Sequence, residues 1–267
     1  MEGWKFNENV RRLATNQRII DILTTLFGRK AWPFQTLNFP VGTQQHFHTD
    51  SVHFSSVPER FMCGVWTALE DISEDAGPLV YYPGSHKWPI YTNEHIGVCS
   101  IEAEEQVHQH TFEPTWRELV KEFDIKPQVF TPRKGQSLIW LSNLLHGGNK
   151  QANKNKTRWS QVTHYYFEGC AYYTPMHSDP FYGNIKFREL TDMMTGETVK
   201  NQYAGYDISP SFLEQSRAGF RSASVHLPEG FSPELYLEAN PDVRDAGADP
   251  VQHYLNHGFV ERRRIKP

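Results

Sequence analysis

The residues of this 267-residue chain with the most chemistry to offer lie in Gln44-Gln45-His46-Phe47-His48-Thr49-Asp50-Ser51-Val52-His53-Phe54. Read as a β-strand, residues two apart share a face, so His48 and Asp50 project side by side. An imidazole beside a carboxylate supplies two corners of a facial metal site, which keeps three positions open once a further histidine joins. The spacing leaves a choice, because His46 lies on the same face and could pair with His48 instead. The bland alternative is a polar strand with hydrogen-bonded histidines.

A second cluster lies far along the chain. Ser137-Leu138-Ile139-Trp140-Leu141 is an apolar strand run leading through Asn143-Leu144-Leu145 to His146, and Gly147-Gly148-Asn149 reads as a turn. A histidine at the mouth of a buried strand can reach a site inside a barrel. The next strand opens Arg158-Trp159-Ser160, and alternation through Val162, His164 and Tyr166 sets Arg158 and Ser160 on one inward face. A bidentate guanidinium and a donating hydroxyl form a receptor for a carboxylate. Taken alone, Arg158 reads better as a surface cation ending the Lys-rich stretch that begins at Lys150.

The elements that must position these groups are short. Segments such as Thr36–Phe39, Met62–Leu69, Val80–Tyr82, Gln136–Leu141 and Trp159–Phe167, divided by Gly, Pro and Asn, predict a sandwich or small barrel and not βαβ units. Asn9 to Phe27 has the periodicity of one long helix covering a sheet face, with Gly28 as its stop. Thr115 to Phe123 predicts a helical insertion with Trp116, Leu119, Val120 and Phe123 on one side. Near the C-terminus, Ser232-Pro233-Glu234 and Asp249-Pro250 are helix starts, and Gly258 is a stop. The chain therefore divides into 1–227, a β domain with its N-terminal helix, and 228–267, a small helical appendage.

Composition narrows the function. There are 27 Lys+Arg against 31 Asp+Glu, a net charge of −4 that argues against a nucleic-acid partner. No G-x-G-x-x-G or P-loop pattern supports a nucleotide phosphate site. Cys63, Cys99 and Cys170 are widely spaced and odd in number, so no disulfide framework is expected. No run approaches the ~18 apolar residues of a membrane span, and the N-terminal residues lack the apolar core of a secretory signal. These features predict a cytoplasmic protein.

Together the motifs resemble the phytanoyl-CoA dioxygenase family of iron(II)- and 2-oxoglutarate-dependent oxygenases. The resemblance spans roughly residues 33 to 170 and implies a mainly β fold with flanking helices, a double-stranded β-helix (a cupin-like jelly roll). It implies that His48, Asp50 and His146 are the iron ligands and that Arg158, with Ser160 in an R-x-S pattern, grips the far carboxylate of 2-oxoglutarate. Gly77-Pro78-Leu79-Val80-Tyr81-Tyr82-Pro83-Gly84-Ser85-His86 is similar to a G-P-L-x-x-x-P-G-S-H segment of the family. Trp66 falls in the strand before it, near the cosubstrate in some members. His86 is read as part of a structural loop. His46, His53 and His164 are read as structural, with His164 the best placed of them to line the pocket.

The activity implied is an oxidoreductase reaction: O2-dependent hydroxylation of an unactivated C–H of a small organic molecule, with release of succinate and CO2. Related halogenating enzymes replace the carboxylate by a small residue, so Asp50 favours hydroxylation. Only 47 residues precede His48, which predicts a reduced N-terminal strand or lid. Residues 228–267 resemble a short module of bacterial surface and glycosyltransferase-associated proteins, which suggests a link to surface-glycan machinery. Two other readings stand: a non-catalytic metal-binding jelly roll, and an interaction module of a surface-glycan assembly system.

Overall fold

Two asparagines set the helices that open the chain in the computed structural model, which describes residues 3–100, 105–218, 227–259, 261 and 263–267. The Asn7 side chain accepts from the backbone N–H groups of Asn9 and Val10 at the start of α1 (Glu8–Ala14). Asn16 accepts from Ile19 N–H at the start of α2 (Gln17–Phe27). The single helix expected over Asn9–Phe27 is therefore two, because the extended backbone of Asn16 interrupts the ladder while capping the second. Gly28, at φ +66°, ends α2 in the left-handed conformation, as its sequence position predicts.

Among the described residues the strands that frame the site are β1 (Ala31–Phe39), β2 (Ser55–Val57), β3 (Met62–Ala68), β4 (Leu79–Tyr81), β5 (Gln128–Phe130), β6 (Ser137–Leu141), β7 (His146–Gly148), β8 (Ser160–Phe167) and β9 (Ala171–Tyr173), followed by two short hairpins between residues 190 and 207. One antiparallel sheet runs β1-β8-β3-β6 and a second runs β5-β4-β7, while β2 pairs with β9. Trp66, Trp140 and Val162 from the first sheet pack with Leu79 from the second, together with Leu144 and Ile72. The fold is a mainly β jelly roll with flanking helices. Its two sheets are not joined into a closed barrel among the described residues.

Strand β8 shows how the two faces divide. It is buried along its whole length, with Val162 and His164 on the cavity side. On the other side the Tyr165 hydroxyl donates to Ala14 O at 2.7 Å, and Gln161 Nε2 donates to Val10 O at 3.1 Å, which ties the sheet to α1. Ile20 and Leu23 of α2 cover the same outer face against Cys63, Val65 and Phe167. The register of β1 on β8 slips between Pro33 and Gln35, so Gln35 comes to lie opposite His164.

Two further expectations are corrected. Residues 44–54 form no strand: His48 makes an isolated bridge, and Asp50–Val52 is a single 3-10 turn. The helical insertion is longer than predicted. After α3 (Asn93–Ile96), α4 runs Glu105–Glu122 with Pro114 inside it, and Phe123 falls beyond its end, largely exposed. Phe112 and Trp116 of α4 pack on Val52, two residues after Asp50, and on Leu145, the neighbour of His146.

After α5 (Pro210–Ala218) come α6 (Pro233–Ala239), α7 (Pro241–Asp245) and α8 (Pro250–His253). Ser232 and Asp249 cap α6 and α8 as the sequence predicts, accepting from Leu235 N–H and Gln252 N–H. The last turn continues as a π-turn through Gly258, the expected stop, and is capped one residue later at Phe259. Tyr236, Val243 and Tyr254 form the core of this region.

Candidate metal centre

Backbone pairing brings the two histidine segments together. His48 N–H donates to His146 O at 2.8 Å and His146 N–H returns to His48 O at 3.0 Å, a closed antiparallel bridge. The double glycine permits it. A Cβ on Gly147 would stand 2.9 Å from Gln45 O, and one on Gly148 would stand 2.7 Å from Thr43 Oγ1. Gly147 and Gly148 are thus strand residues in β7, paired with Val80 and Leu79, and not the turn their sequence suggests. Their missing side chains let the segment before His48 close over β7.

The bridge converges three ligand atoms. His48, Asp50 and His146 are buried, and one potential ligand atom from each lies within 4.8 Å of the others. Asp50 Oδ1 is 3.9 Å from His48 Nε2 and 3.7 Å from His146 Nε2. Each histidine is oriented from behind by a carbonyl: His48 Nδ1 lies 2.9 Å from His46 O, and His146 Nδ1 lies 2.9 Å from Leu144 O. A carbonyl accepts only, so each Nδ1 carries the proton and each Nε2 presents its lone pair to the cluster. His46 thus serves through its backbone. Of the two pairings left open by the sequence, the structure has His48 with Asp50.

Protonation states suit a cation. Burial, with His146 adding to it, lowers the His48 pKa to about 3, so this imidazole is neutral at physiological pH. Burial pushes the Asp50 carboxyl the other way, but His146, His164 and His48 outweigh it and hold it well below the usual carboxylate range. Two imidazoles, that of His48 held neutral, and one ionised carboxylate on one side of an ion match a mononuclear site with open positions.

The same cavity contains Arg158 and Trp66. Arg158 is 2% exposed, its guanidinium carbon lying 5.5 Å from the Trp66 ring centre and 5.9 Å from that of Phe39. It makes no ion pair among the described residues, and its Nε has no hydrogen-bond partner. Burial lowers its pKa to about 10, which leaves it charged at neutral pH. The Ser160 hydroxyl is also fully buried and without a partner, although Ser160 lies outside the cavity wall. An uncompensated buried cation costs several kcal/mol, so this end of the cavity is built for an anion.

Three residues stand closer to the centre than the sequence reveals. Trp140 Nε1 donates to Asp50 Oδ2 at 2.8 Å. His164 Nε2 lies 3.6 Å from that oxygen, and its Nδ1 lies 2.9 Å from Gln35 Oε1. His164 does line the cavity, as expected, and it also faces the carboxylate. Alternation along β6 and β8 could have put Trp140 and His164 on the cavity side. Nothing in the sequence announces the bulge that brings Gln35 to His164.

A jelly roll holding a buried cluster of two histidines and one carboxylate, with an unpaired arginine in the same cavity, belongs to a recognisable class of metal-binding β proteins. The chain belongs to the phytanoyl-CoA dioxygenase (PhyH) family, whose model matches residues 6–160. No curated protein matches it. Among solved structures it is similar to the α-ketoglutarate-dependent epimerase SnoN of nogalamycin biosynthesis. The two are 19% identical with a TM-score of 0.47, over 64% of this chain and 61% of that one. It is also similar to EctD from S. alaskensis, crystallised with 2-oxoglutarate and 5-hydroxyectoine: 20% identity, TM-score 0.43, 58% of this chain and 51% of that one. The chain thus spans about three fifths or less of the length of these two relatives.

Proposed function

We propose that this protein is an iron(II)- and 2-oxoglutarate-dependent dioxygenase that hydroxylates an unactivated C–H bond of a small organic substrate, releasing succinate and CO2. The observation that carries the reading is the unpaired, buried guanidinium of Arg158 in the cavity that also contains His48, Asp50 and His146. A metal site with a purely structural role has no use for such a cation; a dicarboxylate cosubstrate does.

His48 Nε2, His146 Nε2 and Asp50 Oδ1 would hold iron(II). Bound there with 2-oxoglutarate, it supplies oxygen activation and C–H cleavage, chemistry beyond the reach of side chains. The chain's own work is to bind and orient. Arg158 would receive the far carboxylate, with the unpartnered Ser160 hydroxyl proposed from the sequence as a second donor, and this would fix the direction in which the cosubstrate enters. Trp66, Phe39 and Val162 wall the cavity and limit water. The carbonyls of His46 and Leu144 keep the two imidazoles from rotating.

Residues 228–267 are proposed to fold as a separate module; the association with surface-glycan machinery rests on their sequence alone. No helix among the described residues is long and apolar enough to cross a membrane, and no disulfide joins Cys63, Cys99 or Cys170 among the described residues. A cytoplasmic location is part of the proposal and rests on the sequence alone. The activity is tested by succinate release from 2-oxoglutarate in air with iron(II), against a panel of candidate metabolites. A metabolite that accelerates release and is recovered one oxygen heavier supports the proposal. Absence of any iron-dependent succinate, including the slow substrate-free turnover, contradicts it.

A further inference from the structure

Asp50 has two oxygens, and the structure treats them differently. Oδ1 faces His48 Nε2 and His146 Nε2 at 3.9 and 3.7 Å. Oδ2 is turned away, accepting from the Trp140 indole N–H at 2.8 Å, with His164 Nε2 at 3.6 Å. The second distance is longer than a hydrogen bond, so the imidazole flanks Oδ2 without bonding to it. Gln35 orients that ring from its far side through Nδ1.

The indole has little room to leave. It lies over Gly64 of β3, where a Cβ would come within 2.6 Å of the ring, and its ring centre is 4.5 Å from that of His146, the two rings tilted by 39°. Gly64 and Trp140 are directly paired across the β3–β6 ladder, so the missing side chain of one makes the slot for the other. The donor is fixed by the sheet and not by a mobile loop.

We propose that Trp140, backed by His164, is a positioning residue that restricts Asp50 to a single coordinating oxygen. Resting on the metal site proposed above, this assigns the chain a device for keeping coordination positions open. A carboxylate free to turn would chelate through both oxygens and occupy a position that a bidentate 2-oxo acid needs. With Oδ2 held by the indole, Asp50 binds through Oδ1 alone. Trp140 acts through Asp50, to which its indole N–H donates.

The test uses cobalt(II) in place of iron(II), because its visible absorption intensity reports coordination number in air-stable samples. Wild-type protein, Trp140→Phe, His164→Phe and His164→Gln are titrated with cobalt(II) and then with 2-oxoglutarate. Trp140→Phe keeps a ring on Gly64 and removes only the donor. Its cobalt spectrum should change, and its 2-oxoglutarate affinity should fall about tenfold with a much smaller change in cobalt affinity. His164→Phe should shift both readouts the same way to a lesser degree, and His164→Gln, which keeps a polar side chain beside Oδ2, should restore them. Should Trp140→Phe fail to fold, the His164 pair gives the same comparison. Spectra and 2-oxoglutarate affinities identical to wild type in both Phe variants would overturn the inference while leaving the metal site intact. A wild-type protein that binds no cobalt would overturn the metal site as well.

Discussion

Arg158 carries the sharpest consequence of any single residue. In the ligand-free state its buried charge has no counter-ion among the described residues, and the protein tolerates this for what the cavity receives. Arg158→Met should therefore stabilise the ligand-free protein, by about 1–4 kcal/mol, while weakening 2-oxoglutarate binding by one to two orders of magnitude. Denaturant unfolding and calorimetric titration read the two effects; loss of both stability and binding would show that Arg158 serves packing. His48 supplies a pH dependence. Its pKa is about 3 in the folded protein against 6.5 for an unperturbed histidine. Between those values the unfolded chain takes up a proton that the folded one refuses, so acid favours unfolding. The metal-free protein should lose stability as pH falls from 6.5 toward 3, with a slope approaching 1.4 kcal/mol per pH unit for this one group, a figure of about that order. His48→Gln should flatten that window in unfolding curves taken at a series of pH values, and a variant curve parallel to wild type would refute the burial argument.

At the scale of elements, the ligands depend on the approach of two backbones. Gly147→Ala places a methyl 2.9 Å from Gln45 O and 3.0 Å from the backbone of Phe47, contacts that neither neighbour can relieve by rotating a side chain. It should cost about 1–3 kcal/mol of stability and open the His48–His146 bridge, so metal affinity falls although no ligand has changed. A metal titration of folded Gly147→Ala with unaltered affinity would show that the bridge is dispensable. This pairing also marks where the sequence stops being legible. Strands β3, β6 and β8 were readable to within a residue or two because each buries a face and alternates, or carries an uninterrupted apolar run, whereas β1 begins at Ala31, five residues before the expected Thr36. Asp50 follows His48 on the same side as a strand would have it, yet the segment is a bridge and a turn, since its shape is set by partners distant in sequence. The two glycines of β7 look like punctuation until the segment they admit is seen against them. The break between α1 and α2 is hidden in the sequence, because the apolar periodicity runs through Asn16 and masks its capping propensity. The slip that sets Gln35 against His164 leaves no trace in composition.

For the whole molecule, the arrangement divides labour between a rigid β scaffold and the groups it aims inward. α1 and α2 cover one face of the four-stranded sheet, α4 backs the segments on either side of Asp50 and His146, and the metal cluster and Arg158 share the cavity between the sheets. The C-terminal helices have a core of their own in Tyr236, Val243 and Tyr254, so a chain ending at residue 227 should bind metal and 2-oxoglutarate as the full chain does. Equilibrium titration of both proteins decides this, and loss of binding on truncation would make the C-terminal region part of the oxygenase. The account as a whole rests on one ion being shared by His48, Asp50 and His146. The most direct measurement is anaerobic addition of iron(II) and 2-oxoglutarate to the purified full-length protein, followed by visible spectroscopy. A metal-to-ligand charge-transfer band that needs both additions, and that is lost in His146→Ala, is the predicted result. A spectrum without that band, or one unchanged in His146→Ala, would contradict the proposed centre.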